Sequence, residues 1–187
     1  MTRKIIHWQI AGFAFTAFIG MLLHILFTWI RQSILVAPFC AVNESIWEHM
    51  KLLFFPMFVF ALLESRGLAK MTSNYWFTKF AGICMGTALV PILFYTFQGI
   101  TGISPEWFNI VIYFGAIAAA YVFETRRLQC ACLHACKRTW SFSCNLRWLA
   151  ILLLCLIAAA FVIFTFVPPQ LPLFQDVSTG LYGIEGL

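Results

Sequence analysis

The residues best equipped for chemistry crowd into one stretch, Val42-Asn43-Glu44-Ser45-Ile46-Trp47-Glu48-His49-Met50-Lys51-Leu52, which runs directly into Leu53-Phe54-Phe55-Pro56. It holds Glu44, Glu48 and His49, and a second imidazole, His24, stands earlier in the chain. Two imidazoles with one or two carboxylates form a shell for Zn²⁺ or Fe²⁺, and an open position on such an ion supports hydrolysis. His24, Glu44 and His49 are therefore the candidate metal ligands. Glu48, His49 and the distant Asp176 are the candidate acid–base groups. The spacing is not the H-E-x-x-H of metalloproteases, so the expectation of a divalent metal such as zinc rests on residue type and placement alone. Without a metal, the same groups would line a polar pocket or an ion pathway.

An architectural reading accounts for part of the stretch. Ser45 and Glu48 fit a capping box, in which Ser45 caps free N–H groups and Glu48 bonds back to Ser45. Glu44 and Glu48 lie near the positive end of a helix dipole, and Asn43 is an alternative cap. Lys51 would snorkel outward or pair with Glu48 at i,i+3. Pro56 removes one helical hydrogen bond, freeing the carbonyl of Leu52 to face a kink or a cavity.

The elements that must position these groups follow from composition. Of 187 residues, 62% are hydrophobic and only 10% charged, with mean hydropathy +0.89. A soluble domain carries about a quarter charged residues, so this chain needs a lipid bilayer around it. The net charge of +5 is dispersed among apolar segments and is no nucleic-acid signal. Five stretches reach the roughly 20 apolar residues of a spanning helix, at about 8–30, 46–64, 76–97, 107–124 and 148–167. The predicted fold is all-α, one integral membrane bundle of five transmembrane helices over residues 1–187, with a Cys-rich loop at 125–147 and a tail at 168–187.

Basic residues near helix ends resist translocation. With the N-terminus cytoplasmic, ten fall inside (Arg3, Lys4, Arg66, Lys70, Lys79, Arg126, Arg127, Lys137, Arg138, Arg147) against two outside, Arg31 and Lys51. The C-terminal tail is then outside. All seven Trp lie at or beside predicted ends, as interfacial indoles do. Glu64 closes the second helix, where Arg66 or Lys70 would pair with it. It is about 22 Å from His49 along a helix, too far to share one site. Gly82-x3-Gly86 permits close helix approach, and Tyr95 would face the cavity of His24.

Cys130, Cys132, Cys136 and Cys144, with His134, fall in the predicted cytoplasmic loop, and their spacing matches no standard zinc site. They read as a soft-metal site, as free thiols or as acylation points. Cys40, Cys84 and Cys155 read as small apolar fillers. The tail, Leu171-Pro172-Leu173-Phe174-Gln175-Asp176 and onward to Ile184, is too apolar for a dangling end. It would either lie in the interface or fold back over the outer mouth and bring Asp176 to His24, Glu44 and His49.

The run Asn43-Glu44-Ser45-Ile46-Trp47-Glu48-His49-Met50-Lys51-Leu52-Leu53-Phe54-Phe55-Pro56 resembles the hallmark of a family of small bacterial multi-pass membrane proteins of unknown function, DUF6512. Gly20-x3-His24, Pro91-x3-Tyr95-x3-Gly99-Ile100 and Pro172-Leu173-Phe174 with Asp176, Thr179-Gly180 and Tyr182-Gly183-Ile184 extend the resemblance over nearly the whole chain. The Cys-rich loop stands outside it. The resemblance implies a bacterial inner (plasma) membrane location and supplies no activity. The residues themselves favour a membrane enzyme hydrolysing a lipid or polyprenyl substrate. A small-solute or ion transporter and an accessory subunit that docks a protein partner are the alternatives.

Overall fold

In a computed structural model of the chain, residues 2–31, 33–72, 74–132 and 144–184 are described. Five helices form: α1 (Thr2–Trp29), α2 (Ile46–Leu68), α3 (Tyr75–Thr101), α4 (Glu106–Cys132) and α5 (Cys144–Phe166), followed by a single 3-10 turn, Pro172–Phe174. All five are long and apolar enough to cross a membrane. No strand is found among the described residues, only one bridge between Gln175 and Tyr182.

The helices outrun the predicted spans mainly at the end where the chain begins. There α1 starts at Thr2, α2 continues to Leu68 and α4 to Cys132. Hydropathy marks only what hydrocarbon must cover, whereas backbone hydrogen bonding carries a helix on through the headgroups until a cap or turn stops it. Cys136 and His134 of the Cys-rich loop lie outside the described residues, as do Lys137 and Arg138.

The hub is α2. In its most apolar window 61% of residues are buried inside the protein, against 22–33% in the other four helices. It packs on α1, α3, α4 and α5, while α1 also meets α4, and α5 leans on α3 from outside. Leu53, Phe54, Met57, Ile83, Ile117, Leu154 and Phe161 fill the midsection. Gly82 and Gly86 set the α3–α4 approach: a Cβ at Gly86 would stand 2.9 Å from that of Ala120, and one at Gly82 would overlap Glu124. Pro56 sits inside an unbroken α2. The Leu52 carbonyl it frees is met by the Tyr113 hydroxyl at 3.4 Å, which also donates to Thr16 O at 2.9 Å.

Among the described Trp, two pack against protein where the sequence predicts an anchor at the lipid interface. Trp47 lies among Phe161, Phe164 and Phe174, and Trp76 is buried against Tyr75. An indole offers so much apolar area that a protein contact competes with the headgroup layer. Cys40 fills a small cluster with Phe27 and Ala37 as expected, and burial pushes its thiol above the ordinary range. Cys155, by contrast, is exposed on α5.

Candidate metal centre

At the end of the bundle where the tail folds, Ser45 starts α2 and accepts a hydrogen bond from Glu48 N at 3.3 Å. The return half of the capping box is replaced. Asn43 Oδ1 takes the Ser45 N–H at 3.0 Å, and Glu48 turns the other way, accepting from Val42 N at 3.0 Å. The cause is Lys51, whose ammonium lies 2.5 Å from Glu48 Oε2. Lys51 does not snorkel. It is fully buried and spends its remaining donors on Ala37 O at 3.1 Å and Thr165 Oγ1 at 2.8 Å. The pair is neutral and each proton of the ammonium has an acceptor, which makes burial of two charges tolerable.

With Glu48 so engaged, the group that assembles is His24 from α1, Glu44 from the loop and His49 from α2. One ligand atom from each lies within 4.8 Å of the others. Nε2 of His24 is 3.7 Å from one Glu44 oxygen, and Nε2 of His49 is 3.5 Å from the other. The imidazoles meet edge to face at 5.3 Å. His49 Nδ1 lies 2.9 Å from Ser45 O, a carbonyl that can only accept, so the ring proton sits on Nδ1. Nε2 is left as a bare lone pair aimed at a carboxylate. Two acceptors face one another across that gap, and a cation relieves the repulsion. A tetrahedral zinc shell with bonds of about 2.1 Å spaces its ligands about 3.4 Å apart; with one atom from each residue within 4.8 Å of the others, small side-chain movements would close the group to that spacing. Glu44 is half exposed, and the neighbouring imidazoles, His24 foremost, hold its carboxyl below the ordinary value.

Asp176 is brought to this end by the tail. Its Oδ2 accepts from Glu44 N at 3.2 Å; Oδ1 accepts from Ser178 N and Oγ at 2.6 Å and from Thr179 N at 3.1 Å. Asn43 Nδ2 donates to Gly183 O at 2.9 Å. The tail thus straps the segment carrying Glu44, and Phe174 seals it against Trp47. Burial works against the Asp176 charge, but the donors from Ser178, Thr179 and Glu44 outweigh it and hold the carboxyl below its ordinary 3.8. A depressed carboxyl contributes stability that is complete above its unfolded value and is lost as pH falls through the folded one. The strap should therefore hold at neutral pH and loosen below about pH 4. Asp176→Asn should loosen it at every pH, and proteolysis confined to 177–181 would report both. Tyr95 faces outward instead of joining the site. The small apolar cavity beside His49 is lined by Asn109, Ile112, Tyr113, Val90 and Phe94.

A second polar cluster, at the opposite end, was not foreseen as a unit. Glu64 does not pair with Arg66 or Lys70. It is fully buried, with its Oε1 accepting from Gln9 Nε2 at 2.7 Å and its Oε2 from the Tyr75 hydroxyl at 3.1 Å and from Lys79. Lys79 also reaches Glu124 Oε2 at 2.6 Å. Glu64, Lys79 and Glu124 lie on three different helices, each of which continues for at least a turn beyond the charge, so no spacing in the sequence signals the group.

A five-helix bundle with two internal polar clusters belongs to the class of multi-pass membrane proteins. Residues 1–184 match the model of a family described as "Family of unknown function (DUF6512)", and the chain belongs to that family. No curated protein matches it. No solved structure matches it.

Proposed function

We propose that this is a membrane enzyme with a divalent metal centre at the outer leaflet, formed by His24, Glu44 and His49 and acting on a lipid-type substrate. The observation that carries the reading is the bare Nε2 of His49, fixed by its Nδ1–H···O bond to Ser45 and pointed at a Glu44 carboxylate that also meets His24. Such an orienting bond to the far nitrogen is the usual companion of a metal-bound imidazole. Three protein ligands would leave a zinc ion a fourth position for water, and a bound water ionises near neutral pH. Hydrolysis adds that oxygen to the acyl or phosphoryl centre of the substrate, while the water's two protons end on solvent or a base and on the departing alcohol. His24 and Glu44 are partly exposed, which gives a headgroup access. Glu48 enters this reading through its bond to Val42 in the loop that carries Glu44, and Asp176 through Glu44 N.

The orientation belongs to the same proposal: a bacterial plasma membrane, N-terminus cytoplasmic, tail outside. The burial of Lys51 and Lys79 in ion pairs removes both from the count of solvated basic residues. The remainder still favours this orientation, nine against Arg31 alone. Transport has less support. From Leu52 to Leu63, α2 offers only apolar side chains. The hydroxyl chain Tyr121–Thr16 ends there too, because Tyr113 meets Thr16 only at its carbonyl, which cannot pass on a proton.

Elemental analysis of protein purified in detergent, with zinc present during purification, tests the proposal. The expected result is one zinc per chain in the parent and a loss of at least tenfold in affinity in His24→Ala and His49→Ala. Metal near zero in the folded parent, or equal in all three, overturns it.

A further inference from the structure

The second cluster is electrically unbalanced. Glu64 and Glu124 are 0% exposed and Lys79 is 1% exposed, so two carboxyls share one ammonium out of reach of water. Gln9 comes from α1, Tyr75 from α3 beside Lys79, and Tyr121 from α4 beside Glu124; α5 packs here through Ala150 and Ile151. None of these neighbours supplies a second positive charge. An uncompensated anion in a low-dielectric interior is costly enough that it neutralises.

The two carboxyls are not equivalent. Glu64 accepts from three donors on three side chains, Gln9, Tyr75 and Lys79, an arrangement that suits the ionised form. Glu124 accepts from Lys79 alone, and its Oε1 is buried without a hydrogen-bond partner. Gln9 Oε1, on the amide that serves Glu64, is likewise buried with a free acceptor. A bare carboxylate oxygen enclosed in protein is expensive, and protonating Glu124 removes the charge that burial penalises.

We infer that Glu64, Lys79 and Glu124 form a proton-binding site that retains one proton at neutral pH, carried on Glu124. The cluster is then Glu64⁻, Lys79⁺ and a neutral Glu124, with no net charge. Gly82 is what admits it, since a Cβ there would overlap the Glu124 side chain. The site lies at the end of the bundle where the chain begins, and the carbonyl interruption at Thr16 isolates it from the metal-binding end. The proton therefore exchanges only toward its own side of the membrane.

The test is infrared absorption of the full chain in an ester-free detergent, where a protonated carboxyl absorbs clear of carboxylate and amide. The parent should show an acid carbonyl band worth one group per chain at neutral pH, vanishing as the solution is made alkaline. The band should be absent from Glu124→Gln and also from Glu64→Gln, because either change leaves one carboxylate to balance Lys79. His24→Ala should leave it untouched. A folded parent with no such band at neutral pH overturns the inference, whatever the variants do. So does a band of full intensity in both Gln variants.

Discussion

Lys79→Met should be the most damaging single substitution in the bundle, lowering stability in detergent by about 3–5 kcal/mol. Among the described residues Lys79 is the cation that pairs with Glu64 and Glu124, touching both carboxyls while lying over the rings of Tyr75 and Tyr121. Methionine keeps much of the apolar stem, so the loss isolates charge rather than volume. The variant can fold only if both carboxyls are protonated, and the second proton must come from solution. The deficit should thus deepen as pH rises and shrink as it falls. Adding Glu64→Gln and Glu124→Gln to Lys79→Met should recover part of it, because a cluster with no charges pays no charge-burial cost. Thermal unfolding of the parent, the single and the triple variant across pH checks all three statements. A pH-independent loss in Lys79→Met would mean that packing, not charge, is what the lysine provides.

Gly20→Val should cost about 2–3 kcal/mol and also weaken metal binding at least tenfold. A Cβ at Gly20 would coincide with the Tyr113 hydroxyl and stand 2.6 Å from the carbonyl oxygen of Leu52. The second contact is with backbone, so no rotamer change relieves it, and α1 must move off α2. His24 is one turn further along the same face of α1 and meets Glu44 and His49 only across that close approach. The spacing Gly20-x3-His24 thereby acquires a physical reason: the glycine sets the distance at which the histidine works. Gly115→Val supplies the control, since nothing lies within 4 Å of a Cβ there. A zinc titration and a thermal melt on both variants would separate a local clash from a general intolerance of valine.

The five crossings were legible because a bilayer imposes a length, and runs such as 148–167 satisfy it without a single charge. The helix ends were less legible, since α4 continues to Cys132 through residues that hydropathy assigns to a loop. The His24, Glu44 and His49 group was legible because polar residues stand out in an apolar chain, and Ser45 fixed where the helix starts. Glu48 stands as an acid–base candidate by residue type and placement, and the sequence leaves open where its carboxylate points. Adjacent helical residues point about 100° apart, and Lys51 decided which way the carboxylate turned. The second cluster was missed for a different reason. Its members come singly from four helices, so Glu64 looked like an end-of-helix charge with basic residues close by, and Lys79 like one more basic residue near a boundary. Only packing reveals that the three charges share one interior point.

The strap from Pro168 to Ile184 carries a consequence for biogenesis. The hallmark segment leaves the ribosome more than a hundred residues before the Gly183 carbonyl and the Asp176 carboxylate that pin it. Until the tail has been synthesised, Glu44 lacks its tether to Asp176, and the Trp47 indole lacks the Phe174 ring that covers it. Reporter fusions truncated after α5 would count the crossings correctly yet leave this end of the bundle unfinished.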